Sequence, residues 1–596
     1  MRILRKFFKT NFGCKLIWLV VISSILMNIV GVRYEFQNYN LIDHPYLGIL
    51  LRPFTDIRYG YFVARKLFLV VIAFLVFGYW LTKQEKILQQ IRRNIAYIVL
   101  IGLSVFLTRI LTFGFWFYND DTRFFHYHLN ALTHLNYTPQ GVWGPIGSHP
   151  IALLLLVISW FGTNYSLYNA LGLFFYFLAG VAIFVLANRL QKNKFVSLTA
   201  AIFFLTTPTY FQGRLLIGEV VNSPFILLLV VLSIYLLLQK FIPGALIFAA
   251  AALEYGVAKA YFIALPLTLF AIFFTNRKKH LFFFIAAIFL ISLVYLPSFY
   301  GAPGSPGSIS KIFTFHQLFV FGDVLLSVIL PYGLSYPLVR SLSLILDGWI
   351  YITAALGFLI VACFTVIGAI SILRGKMFSA KLIVIALSII IPTAGVASIM
   401  GVRVSHNVQK LVEYHNNGFP TGATGYGFFP AFGLTLALIG LGYLIKKRVF
   451  LILAVLLILV NTVSSIFFDY KWLQSPYSYP QRRYDEQLKK ILLRDGINKY
   501  VYVPSKQRSF YQGVVTFVDI FQGDQNYYLF MDPGEFAQAL IKNKAQSDHI
   551  YFFITSGKPD YKIYDYSGKI RAVPYDKLIP LLQSLKDELT PHPTYF

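Results

Sequence analysis

Residues 345–373 read ILDGWIYITAALGFLIVACFTVIGAISIL. From Gly348 to Leu373 no side chain carries a charge, and Arg374 and Lys376 follow at once. An α-helix rises ~1.5 Å per residue, so ~20 apolar residues cross the ~30 Å hydrocarbon layer of a bilayer. This stretch is longer than that, and the cations at its end suit the headgroup region. Its sequence predicts a transmembrane helix. Similar apolar runs recur from one end of the chain to the other.

The composition agrees. Of 596 residues, 57% are hydrophobic, 18% aromatic and only 13% charged, whereas soluble globular chains carry about 25% charged residues. The mean hydropathy is +0.64. A soluble enzyme, a disordered protein and a disulfide scaffold are excluded. Fifty-two Lys+Arg against 25 Asp+Glu give +27, which in a many-span chain implies basic cytoplasmic loops and contact with anionic lipid rather than nucleic-acid binding. Cys14 and Cys363 both lie in or beside apolar segments, so no disulfide framework or metal cluster is on offer.

The apolar runs place spans near 14–32, 67–82, 97–118, 165–188, 195–213, 224–239, 242–256, 257–274, 281–299, 345–373, 381–399, 426–445 and 449–467. Arg2, Arg5, Lys6 and Lys9 precede the first run, which lacks a small-residue cleavage site and is expected to be retained with its N-terminus in the cytoplasm. Four connections that then fall inside carry the clusters Arg189/Lys192/Lys194, Arg277/Lys278/Lys279, Arg374/Lys376/Lys381 and Lys446/Lys447/Arg448. Loop 33–66, expected outside, departs from the rule with Arg33, Arg52, Arg58, Arg65 and Lys66. The piece 150–162 is too short to cross, and crossing would flip every later basic cluster outward. It is expected to lie along the outer face as an interfacial or re-entrant helix, and 317–331 is treated alike. Thirteen spans put the C-terminus outside. After Phe468 helix-like stretches alternate with β-rich runs such as Lys499–Val503 and His549–Thr555, predicting a small outer α/β domain over 469–596. The expected organisation is therefore two N-terminal spans in 1–96, a membrane module over 97–468 and an extracytoplasmic domain, in a plasma (inner) membrane.

The loop 119–150, NDDTRFFHYHLNALTHLNYTPQGVWGPIGSHP, carries the densest chemistry. Acidic residues are scarce in this chain, yet Asp120 and Asp121 adjoin at the outer end of the third span. A carboxylate there can accept a proton from an acceptor hydroxyl or ligate a divalent cation, and it can equally cap a helix beginning at Thr122. His126, His128, His134 and His149 share the loop without a zinc-type spacing. They read mainly as polar residues of an amphipathic interfacial helix. Arg214, Glu219, Glu254 and Lys259 recur at the same predicted surface, and Arg109 lies inside the third span. Each alone can snorkel or pair internally. Together they put acid, base and phosphate-binding candidates on one side of the membrane.

DDTRF (120–124) followed by SHP (148–150) resembles the acidic-start loop and HPP-type motif of polyprenyl-phosphate-sugar glycosyltransferases. These are GT-C membrane enzymes of the dolichyl-phosphate-mannose protein mannosyltransferase and lipid A aminoarabinose transferase type. TTPTYFQGRLLIGEVVNSPF (206–225), LEYGVAKAYFIALP (253–266) and TGYGFFPAFGL (424–434) resemble that family's later motifs, in order, so that the pattern covers residues 97–470. The resemblance implies a polytopic, GT-C-like α-helical fold and sugar transfer from a polyprenyl-phosphate donor to an acceptor hydroxyl on protein, lipid or polysaccharide. It makes Asp120 and Asp121 the catalytic pair, and Arg123, His149, Arg214, Glu219 and Lys259 substrate-binding. His149 is followed by Pro150 and then Ile151 rather than a second proline, Glu219 stands where an Asp is commoner, and two extra spans precede the acidic loop, which in relatives follows the first span. Metal use varies across these enzymes, and Asp120 and Asp121 are the ligands if a divalent cation is used. A transporter or flippase of lipid-linked glycans would share the many spans and the charges. It would be expected to show inverted repeats and polar groups at mid-membrane, and no internal repeat is visible here.

Overall fold

The computed structural model describes residues 15–27, 58–83, 87–115, 161, 164–207, 217–255, 260–275, 281–282, 284–291, 315–330, 341–342, 345, 348–400, 428–473, 499–502, 527–530, 533–544, 550–555, 563–565, 567–574 and 577–582. They fall into two compact units. The first runs from Lys15 to Thr112 and from Tyr168 to Asp469, and the second takes the chain from Tyr470 onward, with short pieces at Phe113–Phe115 and around Asn164–Leu167.

The first unit is helical. In chain order its helices are α1 (Lys15–Met27), α2 (Arg58–Lys83), α3 (Ile87–Arg109), α4 (Tyr165–Gln191), α5 (Lys194–Thr206), α6 (Ile217–Leu238), α7 (Ile242–Tyr255), α8 (Ala260–Phe274), α9 (Phe315–Ile329), α10 (Trp349–Leu373), α11 (Met377–Met400), α12 (Phe428–Leu441) and α13 (Lys447–Leu473). Residues 284–291 form a further helical stretch. Six helices in the described residues are long and apolar enough to cross a membrane, and six shorter ones are apolar along their length. Their outward faces match that role. Ile452, Leu456, Leu459 and Val463 recur at helical spacing on α13 and are more than half exposed, a stripe that water would penalise and acyl chains accept. The chain is a helical membrane protein.

Helix α7 lies at the centre, with every one of its residues buried. Its run Ala249–Ala252 carries only methyl groups, so neighbouring backbones can approach closely where lipid offers no hydrophobic drive for association. It pairs with α6 as a hairpin, fastened where the Ser233 hydroxyl donates to the Ala245 carbonyl at 2.7 Å. Pro224, Pro266 and Pro392 sit inside α6, α8 and α11, as membrane helices tolerate when neighbours cover the freed carbonyl.

The stretch 317–331, expected as an interfacial or re-entrant helix, is largely α9 and packs into the core. Val320, Val324, Leu325 and Val328 of α9 are buried in one cluster with Ile390 of α11 and Leu434 of α12. Contacts between α9 and α10 advance together, Phe319 with Tyr351 and Phe321 with Phe358, so the two helices run parallel. Glycine makes the crossing possible: a Cβ at Gly322 would come within 2.8 Å of Ala354 Cα, and one at Gly357 would strike the Gly322 carbonyl.

The second unit contains a four-stranded sheet of order β2-β1-β3-β4, from β1 (Lys499–Tyr502), β2 (Tyr527–Phe530), β3 (Ile550–Thr555) and β4 (Ile563–Asp565). Strand β1 pairs parallel with both β2 and β3, Val501 lying opposite Leu529 and Tyr551, while β4 closes antiparallel on β3. Helix α14 (Pro533–Lys542) joins β2 to β3 and packs Phe536 and Leu540 with Tyr502, Ile550, Leu578 and Leu582 into one apolar core.

The glycine crossing is testable with two substitutions in one helix. Gly357→Leu should lower stability by about 2 kcal/mol or more, because backbone must move to admit the side chain. Gly368→Ala, whose Cβ meets only Ile383 Cγ2 at 3.5 Å, should leave the melting temperature in nanodiscs almost unchanged. Equal melting temperatures for the two variants would refute the close approach.

Candidate functional site

The two ends of the helical unit differ in chemistry. At one end the connections are short: Lys192 and Asn193 join α4 to α5, residues 239–241 join α6 to α7, 374–376 join α10 to α11, and 442–446 join α12 to α13. Lys192 and Lys240 adopt positive φ to close these turns, as does Gly375. The Asn193 side chain caps α5, accepting from the amides of Phe195 and Val196. Basic side chains then satisfy helix-end carbonyls. Lys376 Nζ donates to the Tyr443 carbonyl at 3.1 Å and Lys381 Nζ to that of Phe273 at 3.0 Å, where the helix dipole also favours a cation. The Tyr443 hydroxyl donates to the Leu190 carbonyl at 2.8 Å. Gln191 Nε2 donates to the Ile439 carbonyl, and Ser379 Oγ to that of Gly440 at 2.6 Å. Three of the basic clusters thus share this end, and Lys381 reaches to the end of α8, just before Arg277.

At the opposite end two connections are long, 115–164 and 401–427, while residues 256–259 alone join α7 to α8, and the flanking helix termini carry buried polar side chains. Arg109, Thr112, Asn169, Thr206, Thr207, Asn222, Ser223, Glu254, Asn461, Ser465 and Asp469 are all at least nine-tenths buried. Several link one helix to another. Asn169 Nδ2 donates to Thr112 Oγ1 at 2.8 Å, and Thr112 Oγ1 donates to the Arg109 carbonyl at 2.6 Å. Asn461 Nδ2 donates to Thr207 Oγ1 at 3.1 Å, and Ser465 Oγ to the Thr206 carbonyl at 2.9 Å. The Tyr176 hydroxyl lies between the Phe204 and Leu205 carbonyls, at 3.2 and 3.1 Å, while its ring lies under the guanidinium of Arg109. Packing draws the same termini together. A side chain at Gly172 would strike Val220, and the Phe225 ring meets Phe175 at 4.9 Å and Tyr255 at 5.4 Å.

The helix ends that border the motif segments all lie at this polar end. Thr206 and Thr207 open 206–225, whose second half continues into α6. Leu253–Tyr255 open 253–266, which continues into α8, and α12 begins inside 424–434. Of the residues singled out from the sequence, Arg109 and Glu254 are described and buried. Glu219 stands in the first turn of α6. Asp120, Asp121, Arg123, His149, Arg214 and Lys259 lie outside the described residues, as do the loop histidines. Among the described residues no group of three or more His, Cys, Asp or Glu could hold a metal ion. The interhelical polar pairs were not singled out from the sequence. A lone Asn inside the apolar run 449–467, Asn461, was the available signal, since hydrocarbon penalises an unsatisfied amide.

The structure is similar to the crystal structure of the apo form of the Archaeoglobus fulgidus oligosaccharyltransferase, with a TM-score of 0.37 and 12% sequence identity over 79% of this chain and 70% of that one. No family model matches the chain, and no curated protein does.

The Asn461–Thr207 link predicts unequal costs for its two partners. Thr207 Oγ1 also donates to the Phe203 carbonyl at 2.6 Å, so Asn461→Leu leaves no donor stranded and should cost about 1 kcal/mol or less. Thr207→Ala strands the buried Asn461 amide and should cost ~1–3 kcal/mol. Thermal unfolding in nanodiscs reads the order, and a reversed order would remove the link.

Proposed function

We propose that the chain is a membrane glycosyltransferase that moves a sugar from a polyprenyl phosphate to an acceptor hydroxyl at the polar end of the helical unit. The observation that carries this is the gathering of the motif-flanking helix ends, rich in buried polar side chains, away from the basic turns. An enzyme drawing an amphipathic donor from one leaflet needs that asymmetry: a smooth apolar middle for the prenyl chain and a polar face at one membrane surface for the phosphate and sugar. By the positive-inside rule the basic turns are cytoplasmic. The polar end is then extracytoplasmic, as is the domain over 469–596, and 97–468 is the catalytic module.

In the proposed chemistry the Asp120 carboxylate takes the proton of the acceptor hydroxyl. The resulting oxygen attacks the anomeric carbon as the bond from that carbon to the phosphate oxygen breaks, and polyprenyl phosphate leaves, with inversion. Lys259 and Arg214 neutralise the departing phosphate, so no general acid is required on the leaving group, unlike glycoside hydrolysis. Asp121, Arg123, His149 and Glu219 complete the binding of sugar and phosphate. Asp120 and Asp121 would also be the ligands of a divalent cation, whose chemistry would be to neutralise phosphate charge. The acceptor is a hydroxyl of protein, lipid or polysaccharide.

Purified protein in nanodiscs, given a panel of polyprenyl-phosphate sugars with candidate acceptors, should release polyprenyl phosphate from one of them. Asp120→Asn should slow that release by ~10²-fold or more, the usual contribution of a positioned base, without loss of donor binding. Lys259→Ala should weaken donor binding. Full activity in Asp120→Asn would end the assignment of the base. Donor carried across the bilayer unhydrolysed would make the chain a transporter.

A further inference from the structure

Arg109 closes α3 and is only 4% exposed. Its guanidinium lies 4.7 Å from the centroid of the Tyr176 ring. Its Nε has no hydrogen-bond partner, and no carboxylate of the described residues pairs with it. Other described cations differ: Lys376 and Lys381 donate to helix-end carbonyls, and Arg571 Nε donates to the Ile550 carbonyl at 2.9 Å. A guanidinium stays cationic at any physiological pH, and a buried charge without a counterion is costly. An aromatic face beneath it offsets part of that cost and fixes the plane of the fork. What such a group lacks is an anion with paired oxygens.

The surroundings indicate where the anion comes from. Asn169 and Tyr176, two turns apart on one face of α4, both reach the end of α3, so this corner is polar. Immediately beside it, Leu103, Phe106 and Leu107 of α3 and Ile110 just after it, 45–61% exposed, form a lipid-facing apolar surface. A ligand matched to both is amphipathic, with a hydrocarbon chain along α3 and a charged head at its end.

We propose that Arg109 anchors the phosphoryl group of a polyprenyl phosphate whose chain lies on this face of α3. The assignment deepens the glycosyltransferase proposal and depends on it for the choice of a polyprenyl chain over an ordinary phospholipid. Arg109 is then a third cation for the leaving phosphate, reached through the bilayer rather than from the water phase.

The test needs no turnover. Full-length protein in phosphatidylcholine nanodiscs is titrated with a polyprenyl monophosphate and, separately, with phosphatidylglycerol, reading the melting temperature and bound lipid by native mass spectrometry. Wild type should bind the polyprenyl phosphate and melt higher with it. Arg109→Met should bind at least tenfold more weakly, yet melt as high as wild type in the absence of the lipid, because an uncompensated buried charge has been removed. Arg109→Lys should bind with intermediate affinity, and it decides the matter if Arg109→Met does not fold. Unchanged affinity in the variants, with a lower melting point for Arg109→Met, would make Arg109 an internal structural cation and overturn the proposal. An equal Arg109-dependent effect of phosphatidylglycerol would make this a headgroup site and overturn the polyprenyl assignment. Binding without sugar transfer would sink only the catalytic proposal, and transfer with Arg109-independent binding would sink only this one.

Discussion

Hydrocarbon supplies no hydrogen bonds, so each peptide group inside the bilayer must find its partner within the protein, and within a single segment only a helix does this. That constraint orders the rest of the helical unit. It forces the chain into helices, pushes irregular backbone to the two ends, and leaves helix association to close packing and to the few polar side chains that can bond across. Ala249–Ala252 in α7 and the Gly322–Gly357 crossing serve the first need; Ser233, Asn461, Ser465 and Asn169 serve the second.

Because irregular backbone is confined to the ends, the sequence can make the ends unlike one another without disturbing the middle. One end closes with minimal turns, with lysines held at positive φ and lysine ammoniums on terminal carbonyls. These contacts satisfy groups the helices would otherwise leave bare, so the basic residues also finish the fold. The other end leaves its helix termini polar and hands the chain to longer segments. The amides of Asn169 and Asn461 and the hydroxyls of Tyr176 and Ser465 bond there to a neighbouring helix end, which holds α3, α4, α5 and α13 in register where those segments depart.

Length and hydropathy located the long apolar helices of the described residues. The run 345–373 became α10, beginning at Trp349, and 449–467 became α13, extended at both ends because helical hydrogen bonding continues past the apolar core into the headgroup zone. What composition could not convey was partnership. Residues 317–331 read by length as an interfacial or re-entrant helix, and only the absent side chains at Gly322 and Gly357 let α9 pass against α10. The tie between Asn461 and Thr207 joins residues far apart in the chain, so neither betrays the other in a linear text. Of the candidate site, the sequence identified Arg109 and Glu254 as costly charges, and both are buried.

Arg109 shows why burial and function are hard to separate in such a protein. A cation placed in the bilayer for stability is expected to find its counter-charge within the fold, because any other arrangement leaves the folded state carrying the desolvation cost. A cation placed for a ligand must do the opposite and keep part of its hydrogen-bonding capacity open, with neighbours that orient it without neutralising it. Tyr176 does this. Its ring supports the guanidinium through the face, and its hydroxyl is engaged with the carbonyls ending α5, so it offers the cation no competing oxygen. Thr112 takes up the Arg109 carbonyl, tying down the backbone while leaving the side chain free to act. The arrangement is thus less stable than a simple ion pair would be, and the difference becomes binding energy when a phosphate arrives.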